Sequence, residues 1–173
     1  FLNLVLDIIY ISIELLDKGI YIRGGMTYGK LYHEDNICFG PAMIKAYNLE
    51  QEAIYPRIIV DNLAIEKGLE QPGLDGGKIT DDDINEVLIT ENGISYIDFL
   101  YSALEEFEKI NEYTDYLENI RKNLIFHLKN GSYTPKVLEK YEWFKYYYNN
   151  SIERIIKESK GTPQFFEQFF IEK

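Results

Sequence analysis

The stretch GIYIRGGMTYGKLYHEDNICFGPAMIKAYNLEQEAIYPRIIVD, residues 19–61, decides how this chain is read. Its first part, Gly19 to Tyr28, predicts a strand that ends at Gly29. The polar run Tyr32-His33-Glu34-Asp35-Asn36 predicts a turn, and Ile37-Cys38-Phe39 a second short strand, giving a hairpin-like pair. Gly40-Pro41 then opens a helix, because proline suits the first helical turn. Within it Met43, Ala46, Tyr47 and Glu50 recur at spacings of three and four, as far as about Ala53. Tyr55-Pro56 breaks the helix, and Arg57–Asp61 predicts a short buried strand.

Upstream, LNLVLDIIYISIELLD (residues 2–17) predicts a helix stopped by Asp17-Lys18-Gly19. Asn3, Asp7 and Glu14 share one stripe of it, and the rest is so apolar that cover on more than one side is expected, by a sheet and by a second subunit. Residues 1–61 thus read helix–strand–strand–helix–strand, the pattern of an α/β or α+β sheet with helices laid on it. Downstream, residues 62–97 form a turn-rich connector with short strands expected at Glu86–Thr90 and Ile94–Tyr96. Residues 98–173 predict a helical extension, with helices at 98–113, 114–130 and 135–158. Gly161-Thr162-Pro163 then precedes an aromatic turn around Phe165-Phe166 and Phe169-Phe170.

Composition removes several function classes. The 173 residues carry 29 acidic and 18 basic side chains, a formal charge of −11, so a broad duplex nucleic-acid footprint is excluded. Fifteen Tyr, ten Phe and one Trp, with 24 Ile, exclude a disordered acidic tail. The single cysteine, Cys38, allows neither an intrachain disulfide nor a four-cysteine zinc site. Residues 2–16 are too short to span ~30 Å of hydrocarbon and lack the flanks of a signal peptide, so no membrane is expected and the default compartment is cytoplasmic.

The segment from Arg23 to Asp61 resembles the second half of a class III nucleotide cyclase catalytic domain. Arg23, Gly25, Met26 and Gly29 fill that family's Arg-x-Gly-Ile-x-x-Gly strand. Phe39, Gly40, Ala46, Leu49 and Glu50 fill its aromatic-Gly turn and the helix that follows. The runs Arg-Gly-Gly, Phe-Gly-Pro-Ala, Ala-Tyr-Asn-Leu-Glu and Tyr-Pro-Arg-Ile are closest to the bacterial anti-phage pyrimidine cyclases, the Pycsar type. The resemblance implies an α+β fold: the second half of a ferredoxin-like palm, followed by the mainly helical extension.

It also implies an activity, the formation of a 3′,5′-cyclic nucleotide (cCMP or cUMP) from a nucleoside triphosphate with release of pyrophosphate. Mg²⁺ or Mn²⁺ would serve the complete enzyme, and the protein would work as a homodimer. The family's metal-binding aspartates lie on strands before the helix at 2–17. No metal ligand is therefore expected in this chain, which is expected to be truncated at Phe1 and inactive alone. Where class III cyclases carry an Asn and, four residues later, an Arg, this chain has Ile44 and Asn48. Either Lys45 or Arg57 supplies the cation instead, or the protein is inactive. Lys45, Asn48 and Arg57 are the catalytic candidates, and Phe39, Gly40 and Ile44 the nucleotide-binding ones. The alternative is a degenerate cyclase-like module that binds nucleotide or dimerises without chemistry.

Other chemistry-bearing residue types have simpler readings. Paired glycines after Arg23 read as a bulge or tight packing before they read as a phosphate cradle. His33-Glu34-Asp35 reads as a solvated turn, and Asp81-Asp82-Asp83, lacking the alternation of a calcium loop, as a helix cap or loop. His127 reads as structural. The run Tyr141, Trp143, Phe144, Tyr146, Tyr147 and Tyr148 reads as helix packing or a partner surface, since the surrounding charge is wrong for stacking bases.

Overall fold

The computed structural model describes residues 1–158 and 163–172. It is a mixed α+β protein of two compact units, one holding Phe1–Ile11 and Ile22–Asp98, the other Ser12–Tyr21 and Phe99 onward. The first helix, α1 (Leu2–Asp17), contributes to both. Its buried positions Leu2, Val5, Ile9, Ser12, Ile13 and Leu16 follow helical spacing. Asn3, Asp7 and Glu14 are exposed as their stripe predicts, and so are Leu4, Tyr10 and Ile11, leaving one face of α1 uncovered.

The sheet unit contains β1 (Gly24–Met26), β2 (Tyr32–Glu34), β3 (Ile37–Phe39), α2 (Pro41–Ala53), β4 (Ile58–Val60), α3 (Asn62–Leu69), α4 (Asp81–Val87), β5 (Leu88–Glu91) and β6 (Ile94–Ile97). Four strands form one mixed sheet in the order β1-β4-β6-β5. β1 and β4 are parallel, with Gly24 opposite Ile58 and Met26 opposite Val60. β6 runs antiparallel to both β4 and β5. Asn92 (φ 52°) and Gly93 (φ 78°) close the β5–β6 hairpin, the Asn-Gly pair that a two-residue turn of this hand requires. Residues 62–97 therefore complete the sheet that 24–60 begins.

Several sequence expectations change here. The strand expected over Gly19–Tyr28 is only Gly24–Met26, because that is the part with a partner in the sheet. The expected turn at Tyr32–Asn36 is mostly strand: β2 pairs with β3 as a separate ribbon, with Tyr32 opposite Phe39 and Asp35 (φ 48°) at its tip. The hairpin partner of Ile37–Phe39 is thus β2 and not the Gly19–Tyr28 segment. β1 pairs directly with β4, whereas a ferredoxin-like sheet splits such a pair with another strand. Glu86 belongs to α4, so the strand expected at Glu86–Thr90 starts at Leu88. Helix α3 was not expected from the turn-rich composition.

Asp81-Asp82-Asp83 is the first turn of α4. The Thr80 hydroxyl accepts the Asp83 N–H at 3.3 Å, and the Asp83 carboxylate accepts the Thr80 N–H at 2.7 Å, a capping box. These bonds hold the Asp83 carboxyl below the usual carboxylate range.

The helical unit contains α5 (Phe99–Ser102) and a 3₁₀ turn (Ala103–Glu106), then α6 (Ile110–Leu128), α7 (Pro135–Glu158) and α8 (Pro163–Phe166). α7 spans the expected residues. The boundary expected between 113 and 114 lies instead at 107–109, where Phe107 and Lys109 are extended. Phe107 is held there against Tyr113 and Tyr116, at 5.7 and 5.4 Å between ring centroids. Tyr113, Leu117, Ile120 and Leu124 of α6 and Phe144, Tyr147, Tyr148, Ile152 and Ile155 of α7 are buried at three-four spacing.

Within the aromatic run of α7, Phe144, Tyr147 and Tyr148 are core, Tyr141 and Trp143 are half-buried and Tyr146 is exposed. The Tyr147 hydroxyl accepts the Leu100 N–H at 3.0 Å, while that of Tyr113 donates to the Leu100 carbonyl at 2.9 Å. Phe166 and Phe169 are buried, and the expected break at Gly161-Thr162 lies outside the described residues. Among the described residues no helix is long and apolar enough to cross a membrane.

Candidate functional site

The residues singled out by the cyclase resemblance meet where α2 lies on β1. Gly25 makes that approach necessary. A Cβ there would lie 2.5 Å from the Leu49 Cβ and 3.0 Å from the Glu50 N–H nitrogen, and also against the Ala46 carbonyl oxygen. Ala46, Leu49 and Glu50 are thus the helix positions that β1 touches, and only glycine lets the two backbones come so close. Arg23, just before β1, binds Glu50 through its Nε, 2.5 Å from Oε1, and again through its guanidinium. Both side chains are half-buried, so this ion pair clamps the helix to the strand more firmly than a surface pair would.

Gly29 and Gly40 shape the entry to α2. A Cβ on Gly29 would sit 3.3 Å from that of Ala42. Gly40 is the residue before the helix, with φ 144° and ψ 171°, a conformation open only to glycine, and a Cβ there would meet the Lys30 carbonyl at 2.7 Å. Every motif glycine therefore has a packing reason. None of these contacts involves a phosphate cradle.

The catalytic candidates separate. Lys45 reaches the carboxylate of Asp61 at 2.5 Å, and the Thr27 hydroxyl donates to the same oxygen at 2.8 Å. Thr27 follows β1 and Asp61 follows β4, so this cluster stands at the C-terminal ends of the two parallel strands, where open sheets place ligands. Burial pushes the Asp61 carboxyl up, but the hydrogen bonds from Lys45 and Thr27 outweigh it and hold the carboxyl below its usual range.

Arg57 stands at the other end of β4, about 13 Å from Asp61 at the strand rise. It is buried, donates from Nε to the Ala53 carbonyl at 3.3 Å, and lies over the rings of Tyr55 and Tyr96. Arg57 and Lys45 therefore serve different ends of the sheet. Asn48 and Ile44 are exposed on the outer face of α2. In the sequence Asp61 reads only as the end of a strand. Its signal is tertiary: a lysine sixteen residues earlier and a threonine just after the neighbouring strand.

The nucleotide-binding candidates lie on an exposed apolar surface. Phe39 is 58% exposed, Ile44 65% and Tyr47 63%, and Ile37 and Met43 continue the patch from the ribbon onto α2. Tyr32 and Phe39 stack at 4.9 Å across the ribbon. His33, Glu34 and Asp35 are solvated on the same ribbon. His127 has a structural setting in the helical unit. It stacks on Tyr141 at 4.5 Å and shares a 2.7 Å hydrogen bond with the Tyr133 hydroxyl, and burial lowers its pKa.

Among the described residues no three His, Cys, Asp or Glu gather as a cation site. Asp61, whose carboxylate is already held by Lys45 and Thr27, is a poor lone ligand for Mg²⁺ or Mn²⁺. Compared with known proteins, the chain matches no family model, no curated protein and no solved structure.

Proposed function

We propose that residues 1–61 belong to a nucleotide cyclase-like protein that makes a 3′,5′-cyclic pyrimidine nucleotide, cCMP or cUMP, from a nucleoside triphosphate in anti-phage signalling. The observation that supports this reading most is the use of the ordered motif. Arg23, Gly25, Ala46, Leu49 and Glu50, scattered over 28 residues, converge on one strand–helix contact. Such convergence is the expected outcome of a motif that sets a palm-like scaffold. The protein's share of in-line phosphoryl transfer is positioning and charge neutralisation. Lys45, exposed at the C-terminal ends of β1 and β4, is the cation this chain would offer to a triphosphate. The divalent ions would be held elsewhere than by the residues described here, and no step is assigned to them. The test is pyrophosphate release by the full gene product with CTP, UTP, ATP or GTP and Mn²⁺. Turnover of a pyrimidine nucleotide that falls at least tenfold in Lys45→Ala supports the reading; no turnover of any of the four refutes it.

A second reading, a dimerisation or nucleotide-binding module without chemistry, is favoured by three observations. β1 and β4 pair directly, Arg57 is remote from Lys45, and the usual Asn and Arg positions hold the exposed Ile44 and Asn48. In that reading the apolar ribbon and the outer face of α2 meet a second copy. Nucleotide then raises the melting temperature without pyrophosphate release.

A further inference from the structure

Lys45 and Asp61 form an unequal pair, one side chain fixed and the other free to turn. Asp61 stands where β4 passes into α3, and its backbone is bonded on both sides. Its N–H donates to the Met26 carbonyl at 2.9 Å, and its carbonyl accepts the N–H groups of Ala64 and Ile65 at 2.9 and 3.1 Å. Its carboxylate accepts the Thr27 hydroxyl at 2.8 Å. The Asp61 side chain is 14% exposed, whereas that of Lys45 is 48% exposed and meets Asp61 at its tip, Nζ to Oδ2 at 2.5 Å.

A lysine ammonium on its flexible stem can swing to another anion, while a carboxylate tied at the backbone and by a hydroxyl stays where it is. The Asp61 carboxyl is held below its usual range, so it is ionised at neutral pH and neutralises Lys45. The chain carries a net charge of −11, so its overall field repels anions and a phosphate depends on local cations. At the C-terminal ends of β1 and β4 an incoming phosphate and Asp61 therefore compete for one ammonium.

We propose that Asp61 regulates this site by parking Lys45, and that a triphosphate binds by drawing the ammonium off Asp61. The inference rests on the reading of Lys45 as the cation this chain offers to a triphosphate. Only the Lys45 side chain has to move; the strands and α2 stay as they are. When Lys45 leaves, the Asp61 carboxylate keeps the Thr27 hydroxyl as a partner and is not left bare. The parked state lowers the apparent affinity by the fraction of chains whose lysine is free, so Asp61 sets how much ligand the site needs.

Isothermal titration calorimetry of the full chain with metal-free tripolyphosphate at fixed ionic strength tests this. Saturable binding is expected, at least tenfold weaker in Lys45→Ala. Asp61→Asn should tighten it about fivefold while Lys45 is present, the upper end for a partly exposed ion pair, and less than twofold in the Lys45→Ala background. Asparagine keeps an acceptor for Thr27 and suits the residue before a helix, so the fold should survive. In the unaltered chain the Asp61 carboxyl carbon resonance should shift as the ligand saturates, which reports the departure of the ammonium without any substitution. Absence of saturable binding, equal tightening in both backgrounds, no tightening at all, or an unmoved carboxyl resonance would each overturn this inference and leave the pyrophosphate-release test of the wider reading standing. An affinity that Lys45→Ala leaves unchanged overturns both.

Discussion

Adding one methyl group at Gly25 tests the contact on which the sheet unit is built. In Gly25→Ala the new Cβ falls 2.5 Å from the Leu49 Cβ, 3.0 Å from the Glu50 nitrogen and against the Ala46 carbonyl. Two of those three atoms are helix backbone, so no side-chain rotation relieves the overlap, and α2 must lift from β1. Overpacking of this kind costs about 1–3 kcal/mol, and a backbone clash belongs at the upper end. About 3 kcal/mol corresponds to a fall in Tm of roughly 6–12 °C for a chain of this size.

The neighbouring Gly24→Ala is the control. It points to the opposite face of β1, where the nearest atoms to a Cβ belong to the Ile58 side chain, at an ordinary 3.4 Å. There the reduced freedom of the unfolded chain should leave stability unchanged or raise it by about 0.4–1 kcal/mol. Urea unfolding gives both values, and amide hydrogen exchange at Ile59 and Val60 in β4 reports the sheet unit by itself. If Gly25→Ala unfolds within about 0.5 kcal/mol of Gly24→Ala, the close helix–strand approach is not what this glycine serves.

Three further outcomes follow from the same geometry. The Asp61 carboxyl is held low in the folded state, so its contribution to stability is present above the unfolded value near pH 4 and is lost as pH falls through the lowered one; Asp61→Asn should flatten that acid limb in a pH series of urea midpoints. Tyr147→Phe leaves the buried Leu100 N–H without this acceptor and should cost about 1–3 kcal/mol, whereas Tyr116→Phe removes a hydroxyl with no partner among the described residues and should be neutral or stabilising, both read by chemical denaturation. On the dimer reading, Ile44→Glu on the exposed face of α2 should give a monomer in analytical ultracentrifugation without lowering Tm, because Ile44 is 65% exposed in the chain itself.

The legible parts of the fold were those whose signals are local. Gly40-Pro41 opened α2 and Tyr55-Pro56 followed its end, so the helix emerges at Pro41–Ala53 as the spacing predicts. The apolar run with its polar stripe likewise placed α1, and the helix expected at 135–158 emerges as α7. Strand partners were another matter. Gly19–Tyr28 reads as one long strand by composition, but a strand extends only as far as another strand's N–H and C=O groups answer it, and here that is three residues. Ile37–Phe39 found its partner in the polar segment Tyr32–Glu34, where composition predicted a turn. Phe107 ended a helix through its ring contacts with Tyr113 and Tyr116, six and nine residues on.

The same division holds at the candidate site. By itself the amino-acid sequence determined the acidic charge, the α+β composition, the ordered glycine motif and the helices that capping and periodicity define. Only the tertiary structure decided that Lys45 pairs with Asp61 and stands apart from Arg57, that Gly25 serves a helix–strand contact, and that Asp17, Asp115 and Tyr116 line one cavity. Periodicity and capping act over three or four residues and leave their mark in the chain. Strand pairing, ion pairs and cavities join residues up to about a hundred positions apart, such as Asp17 and Asn119, and exist only once the backbone has folded.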